Sequence, residues 1–591
     1  MSARMLPSRR LLAVAVSLAL FPLSLTGQVP ARGRLAAPVR PAAPARPVAP
    51  VRPGAPDSER PSPGERLYMR GISTAGTAVA ATVQGDVHVK STEMTCVNCH
   101  RRSGMGTAEG SLVVPAILGS VLFAPMTRGA QQIGEPRTTG EGTRPTYSDE
   151  ALLVALRDGV DPAGRTLSPT MPRFAVTAAD ARALGAYLRT LGEQPPPGVD
   201  EAIVHVATIL TPQVSAARRA SMLDVLRTFV RAKNGGSRYE TRRRENGPWD
   251  MKQQYQGYRD WVLDEWDLHG APREWPAQLE ELYRKQPVYA IVSGIADEDW
   301  SPIDAFSARH KIPTILPQTP LPPAVPAGDG FYSLYFSKGV TLEAQALAHH
   351  LHAATSGGPE GPPLRSSLPR VRQVSRCGAP GQAAAAALAR EFKVGVIQST
   401  CVPSSTTLTA ESWRTLVGTA NSLVVWLGSG DMAALEALGN SAALAKVTDL
   451  YLSSSLLGED VLRVPAQLST RAVVVHPFVP PDEFERNAAR SLLWMKANGI
   501  QPADRRVAVN ALFAVVLAAD ALNIPRTIGS REYFIERIEH MTTTSVSPTA
   551  YPAVSFDAKR RFASGGAYLL KMPAAPGETF RKVEEWYVPK P

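Results

Sequence analysis

Cys96-Val97-Asn98-Cys99-His100 is the stretch on which the fold of this chain turns. Two thiols three residues apart, with an imidazole directly after them, fit covalent attachment of a c-type haem. The two sulfurs would bond the porphyrin vinyl groups, and the His100 ring would take one axial position on the iron. Taken alone, the five residues also fit a zinc or redox Cys-x-x-Cys, or two incidental thiols.

Upstream of the motif, Arg4, Arg9 and Arg10 precede the apolar run Leu11 to Leu25. This is the pattern of a secretory signal, here residues 1–27, and the run is short for a membrane span of about 20 residues. Cleavage after Gly27 or Ala31 matches A-x-A poorly, so an uncleaved leader giving membrane association stays open. Export to the periplasm suits the motif, because c-type haem is joined to protein outside the bacterial cytoplasm. Residues 28–63 form a Pro/Ala/Arg-rich linker, with Pro38, Pro41, Pro44, Pro47, Pro50, Pro53 and Pro56 at every third place. That spacing favours an extended left-handed helix acting as a semi-rigid spacer, the alternative being a tail without a role.

The first folded unit is read as residues 64–197. Gly64 to Gly71 is a short helix stopped by glycine. After the motif comes a loop-rich stretch with Gly104, Gly106, Gly110 and Pro115, then a helix capped by Ser148 or Asp149 that runs through Leu156. The turn Gly159 to Arg165 and the segment Met171-Pro172-Arg173-Phe174 lead to a last helix, capped by Thr177. There Leu184, Tyr187, Leu188 and Leu191 make one apolar face. A second axial ligand for iron should come from a downstream loop, and Met171 in its proline-bounded loop is the best candidate, since thioether ligation suits an electron carrier. Met126 is the rival, Met105 lies too close to His100 to cross a porphyrin easily, and a gap-filling core methionine is the bland alternative.

In that order, Gly64 with Tyr68, the Cys96–His100 motif, Asp161-Pro162-Ala163-Gly164-Arg165, Met171-Pro172 and Ala186-Tyr187-Leu188 resemble class I cytochromes c. The resemblance implies a small all-α domain whose first and last helices cross, with Gly64 or Tyr68 against Tyr187. It implies one covalent haem c on Cys96 and Cys99, with His100 and Met171 as iron ligands. A zinc site lacks its second cysteine pair, and a thioredoxin-like fold would need strands around the motif. Arg101, Arg102, Arg128, Arg165 and Arg173 surround these elements, either to steer an acidic redox partner onto the haem edge or as a solvated surface.

Residues 198–591 change character. Strands at Ile203–Leu210, Val288–Val292 and Ile312–Leu316 alternate with helices at Ser215–Lys233, Pro302–His310 and Leu342–His352. After Gly357 to Pro363 the alternation restarts, with strands near Val371, Val394, Leu423, Leu450 and Val473. Such alternation implies parallel sheets covered on both faces, and the restart implies two lobes. Cys377 and Cys401 each follow a strand whose carboxyl ends are neighbours, so they form a disulfide in an oxidising compartment or remain two buried thiols.

Leu321-Pro322, Tyr332 to Gly339, the restart at Val371 and Tyr551 to Phe556 resemble the type I periplasmic solute-binding proteins of branched-chain amino-acid transport. That resemblance implies two lobes closing over a small polar solute at the carboxyl ends of strands. Candidate ligand loops hold Ser293 and Gly294, Gln318 and Thr319, Ser399 and Thr400, and Ser429 and Gly430. The family's amino-acid-binding residues do not map cleanly here, so a docking scaffold is the alternative. His349-His350-x-His352 suggests a metal site but sits at a helix end, where a solvated role is the expectation, and Arg242-Arg243-Arg244 reads as a solvated loop.

The 591 residues are too many for one core. At 44% hydrophobic and 20% charged the composition is that of a soluble globular protein. The net charge of +11 lies partly in the leader and linker, and nucleic acid is not the expected partner. No Ser/His/Asp order, carboxylate pair or P-loop points to an enzyme. The sequence thus predicts a multidomain electron carrier, a small all-α cytochrome c domain followed by a two-lobed α/β domain, passing electrons from a periplasmic dehydrogenase to a downstream acceptor. The alternative is a solute receptor for a transporter or sensor, with haem as its redox reporter.

Overall fold

The computed structural model describes residues 61–589 apart from 110–111, 125–143, 193–194, 247–258, 357–369, 379, 394, 524–526, 545–548 and 576. The leader, most of the linker, Met126 and Arg128 lie outside the described residues. Its first part carries helices α1 (Pro63–Arg70), α2 (Cys96–His100), α3 (Gly119–Leu122), α4 (Asp149–Arg157) and α5 (Ala178–Thr190). The Ser62 hydroxyl caps α1 by accepting from the Glu65 N–H, Pro63 fills the first turn, and Gly71 ends the helix at φ 66°. Thr177 and Asp180 close a capping box on α5. Asp180 also accepts the N–H and O–H of Thr74, both at 2.7 Å, which ties the segment after α1 to the final helix.

The crossing of α1 and α5 is very close. A Cβ on Gly64 would lie 2.0 Å from the Ala183 carbonyl oxygen, and the Tyr68 and Tyr187 rings are 5.4 Å apart. This part is not all helix, however. Strands β1 (Ala80–Val83) and β2 (Val87–Lys90) pair antiparallel, and so do β3 (Thr107–Glu109) and β4 (Leu112–Val114). Gln84 and Gly85, at φ 55° and 94°, supply the turn between β1 and β2. Pro172 disfavours a helix at Met171, and the extended Arg173–Phe174 that follows, β5, adds to β1.

The remainder is mixed α/β. Strand β6 (Ile203–Leu210) leads into the long helix α6 (Ala216–Asn246), then β7 (Asp260–Asp267), β8 (Ala290–Val292), β9 (Thr314–Ile315) and β10 (Ser333–Leu334). These form an all-parallel sheet in the order β10-β9-β8-β6-β7. A second sheet holds β11 (Arg370–Arg376), β12 (Val396–Val402), β13 (Ser422–Trp426), β14 (Asp449–Ser453), β15 (Ala472–His476), β16 (Ala567–Lys571) and β17 (Arg581–Tyr587). Its order is β12-β11-β13-β14-β15-β16-β17, parallel as far as β15 and antiparallel from there. Strands β13 and β15 are buried along their whole length, as covering on both faces requires.

Each sheet has its own core, but neither lobe is continuous in sequence. Leu512, Val515, Phe534 and Ile538 of the late helices pack with Val206, Val292 and Leu334 of the first sheet. Val340, Leu347 and Leu351 pack with Val371, Tyr451 and Ala567 of the second. The chain therefore passes between lobes three times, between Leu334 and Val340, between His476 and Ala488, and between Ala563 and Ala567. The helix Val340–Ser356, which the sequence pattern assigns to the first lobe, belongs to the second.

Candidate functional site: the Cys96–His100 segment and its seam

Helix α2 presents the motif directly, starting at Cys96 after the extended Thr95. Neither Cys96 nor Cys99 takes part in a disulfide. Burial pushes the Cys96 thiol up to about 12, the opposite of the depressed value a redox Cys-x-x-Cys requires. His100 is 8% exposed, and burial lowers its pKa, so the ring is neutral. Its Nδ1–H donates to the Pro115 carbonyl at 3.0 Å, which leaves the Nε2 lone pair for a metal. A narrow cleft opens at Cys96 among Leu67, Met94, Leu156, Phe174, Val176 and Leu184. His100, Cys99 and Met171 are not on its lining.

Met171 is half-buried and packs on the same apolar cluster as Cys96, with Phe174 and Leu184. Its loop is braced by Arg173, whose guanidinium donates to the carbonyls of Met171 at 2.6 Å and Leu167 at 3.0 Å. The preceding turn is held by Asp161, which accepts from the N–H groups of Ala163 and Arg165 and pairs with the Arg165 guanidinium. Burial raises the Asp161 pKa, but those bonds outweigh it and hold the carboxyl below its usual range. The donor set is two thiols, a neutral imidazole with one nitrogen committed, and a thioether. It fits a covalently held haem. Met94, on the cleft wall beside Cys96, is a second thioether that the downstream-loop argument passes over.

The arginines after the motif meet the α/β part of the same chain. Arg101 pairs with Glu539 at 2.7 Å, and Arg102 pairs with Asp329 and lies over the Phe331 ring. Glu539, 3% exposed, also pairs with Arg561 at 2.8 Å. Ser103 donates its N–H to Glu536 Oε1 at 3.0 Å and shares a 2.5 Å bond between its hydroxyl and Oε2. Glu536 and Glu539 lie one turn apart on the helix Arg531–Thr544 of the first lobe. Of the arginines read as steering an acidic partner, Arg101 and Arg102 thus engage acids of the α/β part and Arg165 pairs with Asp161, while Arg173 bonds to carbonyls. Sequence reasoning missed Glu536 and Glu539; their signal was an acidic i, i+3 pair on a late apolar helix.

Of the predicted ligand loops, the structure brings those of Ser293 and Gln318 together. Ser293 is fully buried and Gln318 meets it from the next strand end, its Nε2 3.4 Å from Ser293 Oγ. The Thr319 hydroxyl accepts from the Leu321 N–H, and Ser429 lies in a short turn past β13. Ser399 and Thr400 are in no loop. They stand inside edge strand β12, where a half-exposed position tolerates polar side chains, and Ser399 accepts from Gln373. Cys377 and Cys401 are joined in a disulfide beside them. At the lobe junction, Arg506 stacks over Phe478 and reaches Ser454, while Tyr551 stacks on Phe336. His349 and His350 contact Glu584, and His352 accepts from the Lys393 N–H. Among the described residues no group of three or more His, Cys, Asp or Glu is arranged for a metal ion.

Residues 89–192 match the family model of cytochrome c. A comparison with curated protein sequences finds no significant match. Among solved structures, the chain is similar to a fatty acid ABC transporter substrate-binding protein from Thermomonospora curvata, at 15% identity and TM-score 0.47, over 67% of this chain and 95% of that one. It is also similar to a branched chain amino acid ABC transporter protein from Thermus thermophilus with bound valine, at 14% identity and TM-score 0.48, over 66% and 97%. A solute binding protein from R. palustris in complex with benzoate gives 14% and 0.47, over 66% and 97%. The chain is a mixed α/β multidomain protein that carries a cytochrome c domain at residues 89–192, and that domain implies covalent haem c.

Proposed function

We propose that the chain is an exported electron carrier with one haem c, held by thioether bonds to Cys96 and Cys99 and ligated by His100 and Met171. The observation that carries this reading is the buried His100, its Nδ1 committed to Pro115, set on the same five-residue helix as both thiols. When bound, the haem would supply one-electron chemistry. The chain's own residues orient the imidazole, hold the Met171 loop through Arg173, and line the Cys96 cleft with apolar side chains that exclude water. The order of parts is a leader, a linker, the cytochrome domain and a two-lobed α/β domain. Among the described residues no helix is long and apolar enough to cross a membrane. Electrons would pass from a periplasmic dehydrogenase to a downstream acceptor, with the α/β domain as docking body.

A second reading, a solute receptor whose haem reports redox state, is favoured by one feature. The three passages between the lobes make a hinge with Arg506 and Tyr551 at the junction. The test of the first reading is a reduced-minus-oxidised spectrum of full-length protein from a host that matures c-type cytochromes. Covalent haem that survives denaturation is expected, and its loss in C96A/C99A. Wild-type protein without covalent haem overturns the reading. A thermal-shift screen of polar solutes tests the receptor reading, because a bound solute raises Tm with concentration.

A further inference from the structure

We infer that Glu536, contributed by the first lobe of the α/β domain, is a positioning residue of the haem segment and takes up a proton when the domain accepts an electron. The inference rests on the haem reading above. Its basis is the seam at Arg101-Arg102-Ser103, directly after His100.

Three observations converge there. First, Glu536 is 6% exposed and both its oxygens are bonded to Ser103, three residues past the imidazole. Second, the backbone between them is strained. Arg101 sits at φ 64°, ψ 174°, a region that essentially only glycine occupies, and persists because its surroundings fix it. Those surroundings are the Tyr68 hydroxyl, which donates to the Arg101 carbonyl at 2.5 Å, and Glu539, which holds its guanidinium. Third, Tyr68 is pushed well above its usual pKa, by burial first and then by Cys96, Tyr187, Glu536 and Cys99. The Glu536 carboxyl therefore acts on the ring whose hydroxyl holds the Arg101 carbonyl.

The charges around Glu536 leave it poorly compensated. Arg101 answers Glu539, Arg102 answers Asp329, and Arg561 answers Glu539. On its own helix Glu532 accepts from the Tyr332 hydroxyl, and Glu539 adds a like charge one turn away. Burial dominates and moves Glu536 up to about 7, against the lowering effect of the Ser103 bonds and Arg101. Ser103 Oγ can donate to the ionised carboxylate or accept from the protonated acid, so the contact survives both states.

The coupling balances simply. An external one-electron donor supplies the electron, solvent supplies the proton, and the Glu536 carboxylate becomes a carboxylic acid as the domain is reduced. By linkage, ionised Glu536 must favour the oxidised domain by the same factor.

The experiment is a spectroelectrochemical titration of the full-length haem protein against pH. In wild type the reduction potential should fall as pH rises between about 6 and 8, bounded by a tenfold change in the reduction equilibrium per pH unit, about 59 mV. E536Q, which keeps the shape but cannot ionise, should be flat through that window. S103A leaves the acid and removes one bond that stabilises its charge, so its inflection should move to higher pH. A pH-independent wild-type potential overturns the inference, and so does an inflection retained in E536Q. If E536Q does not fold, an S103A inflection identical to wild type overturns it. Wild-type protein lacking covalent haem overturns the electron-carrier reading itself.

Discussion

Replacing Gly64 by alanine should loosen the whole haem domain. Its Cβ would sit 2.0 Å from the Ala183 oxygen and 2.8 Å from Tyr187 Cβ, whereas ordinary contact begins at 3.4 Å. The first contact is backbone, which cannot swing aside, so α1 and α5 must separate by more than 1 Å. Overpacking of this kind costs about 1–3 kcal/mol. At a typical sensitivity of about 3–4 °C per kcal/mol for a domain of this size, the expected fall in Tm is about 6 °C. The consequence reaches the motif, because α1 carries Tyr68, whose hydroxyl holds the Arg101 carbonyl. The assay is thermal unfolding of G64A followed through the absorbance of the covalent haem, which reports on this domain alone. An ordinary helical Gly→Ala change stabilises, since alanine is the better helix former. An unchanged or raised Tm in G64A would refute the close crossing.

Other substitutions probe the seam, the lobes and their cross-link. E539A leaves Arg101 and the 8%-exposed Arg561 without their shared carboxylate; breaking a buried pair costs about 3–5 kcal/mol, read as a lower urea midpoint of the full chain. C377S/C401S frees a loop of sequence separation 24 and should cost about 3 kcal/mol by the same measurement, with no change in the haem spectrum. Burial raises Glu343 to about 7, so its folded form binds a proton that the unfolded chain releases near its ordinary value of 4.5. Its contribution is present below about pH 4.5 and is lost as pH rises through 7. The stability difference between E343Q and wild type should therefore shift in favour of E343Q over that window, and a pH-independent difference removes the argument.

The haem motif and the crossing of the first and last helices were legible because each is local or carried by a few residues of special shape. Cys96, Cys99 and His100 fall within five residues, and the Gly64 and Tyr187 crossing came with the resemblance to class I cytochromes c, whose close approach of two backbones the structure shows. The parallel strands were legible because burial on both faces makes them largely apolar runs, most clearly in β13 and β15. Strand β7 was not, since Asp-Trp-Val-Leu-Asp-Glu-Trp-Asp is an edge strand whose acids face Arg227, Arg219 and His205. The hairpin of β1 and β2 was missed because four-residue strands carry little periodicity. Ser399 and Thr400 were misplaced by polarity, which marks an exposed edge as readily as a loop. The passages between lobes depend on contacts hundreds of residues apart, and no local pattern encodes them.

Those passages give the seam its meaning. Every described residue that meets Arg101, Arg102 and Ser103 through a charge or hydrogen bond from the α/β part, namely Asp329, Glu536 and Glu539, belongs to the first lobe. Phe331, under Arg102, belongs to the same core. The haem segment is therefore built onto one lobe alone. The three passages leave the segment Arg101–Ser103 tied to the first lobe, and the chain's crossings join that lobe to the second. The α/β domain then contributes to the Cys96–His100 segment in a specific way: it supplies the acids that hold a strained arginine directly after His100. A docking scaffold retained for its surface alone would have no use for a buried carboxylate at that position, and the pH dependence of the potential is where the two accounts separate.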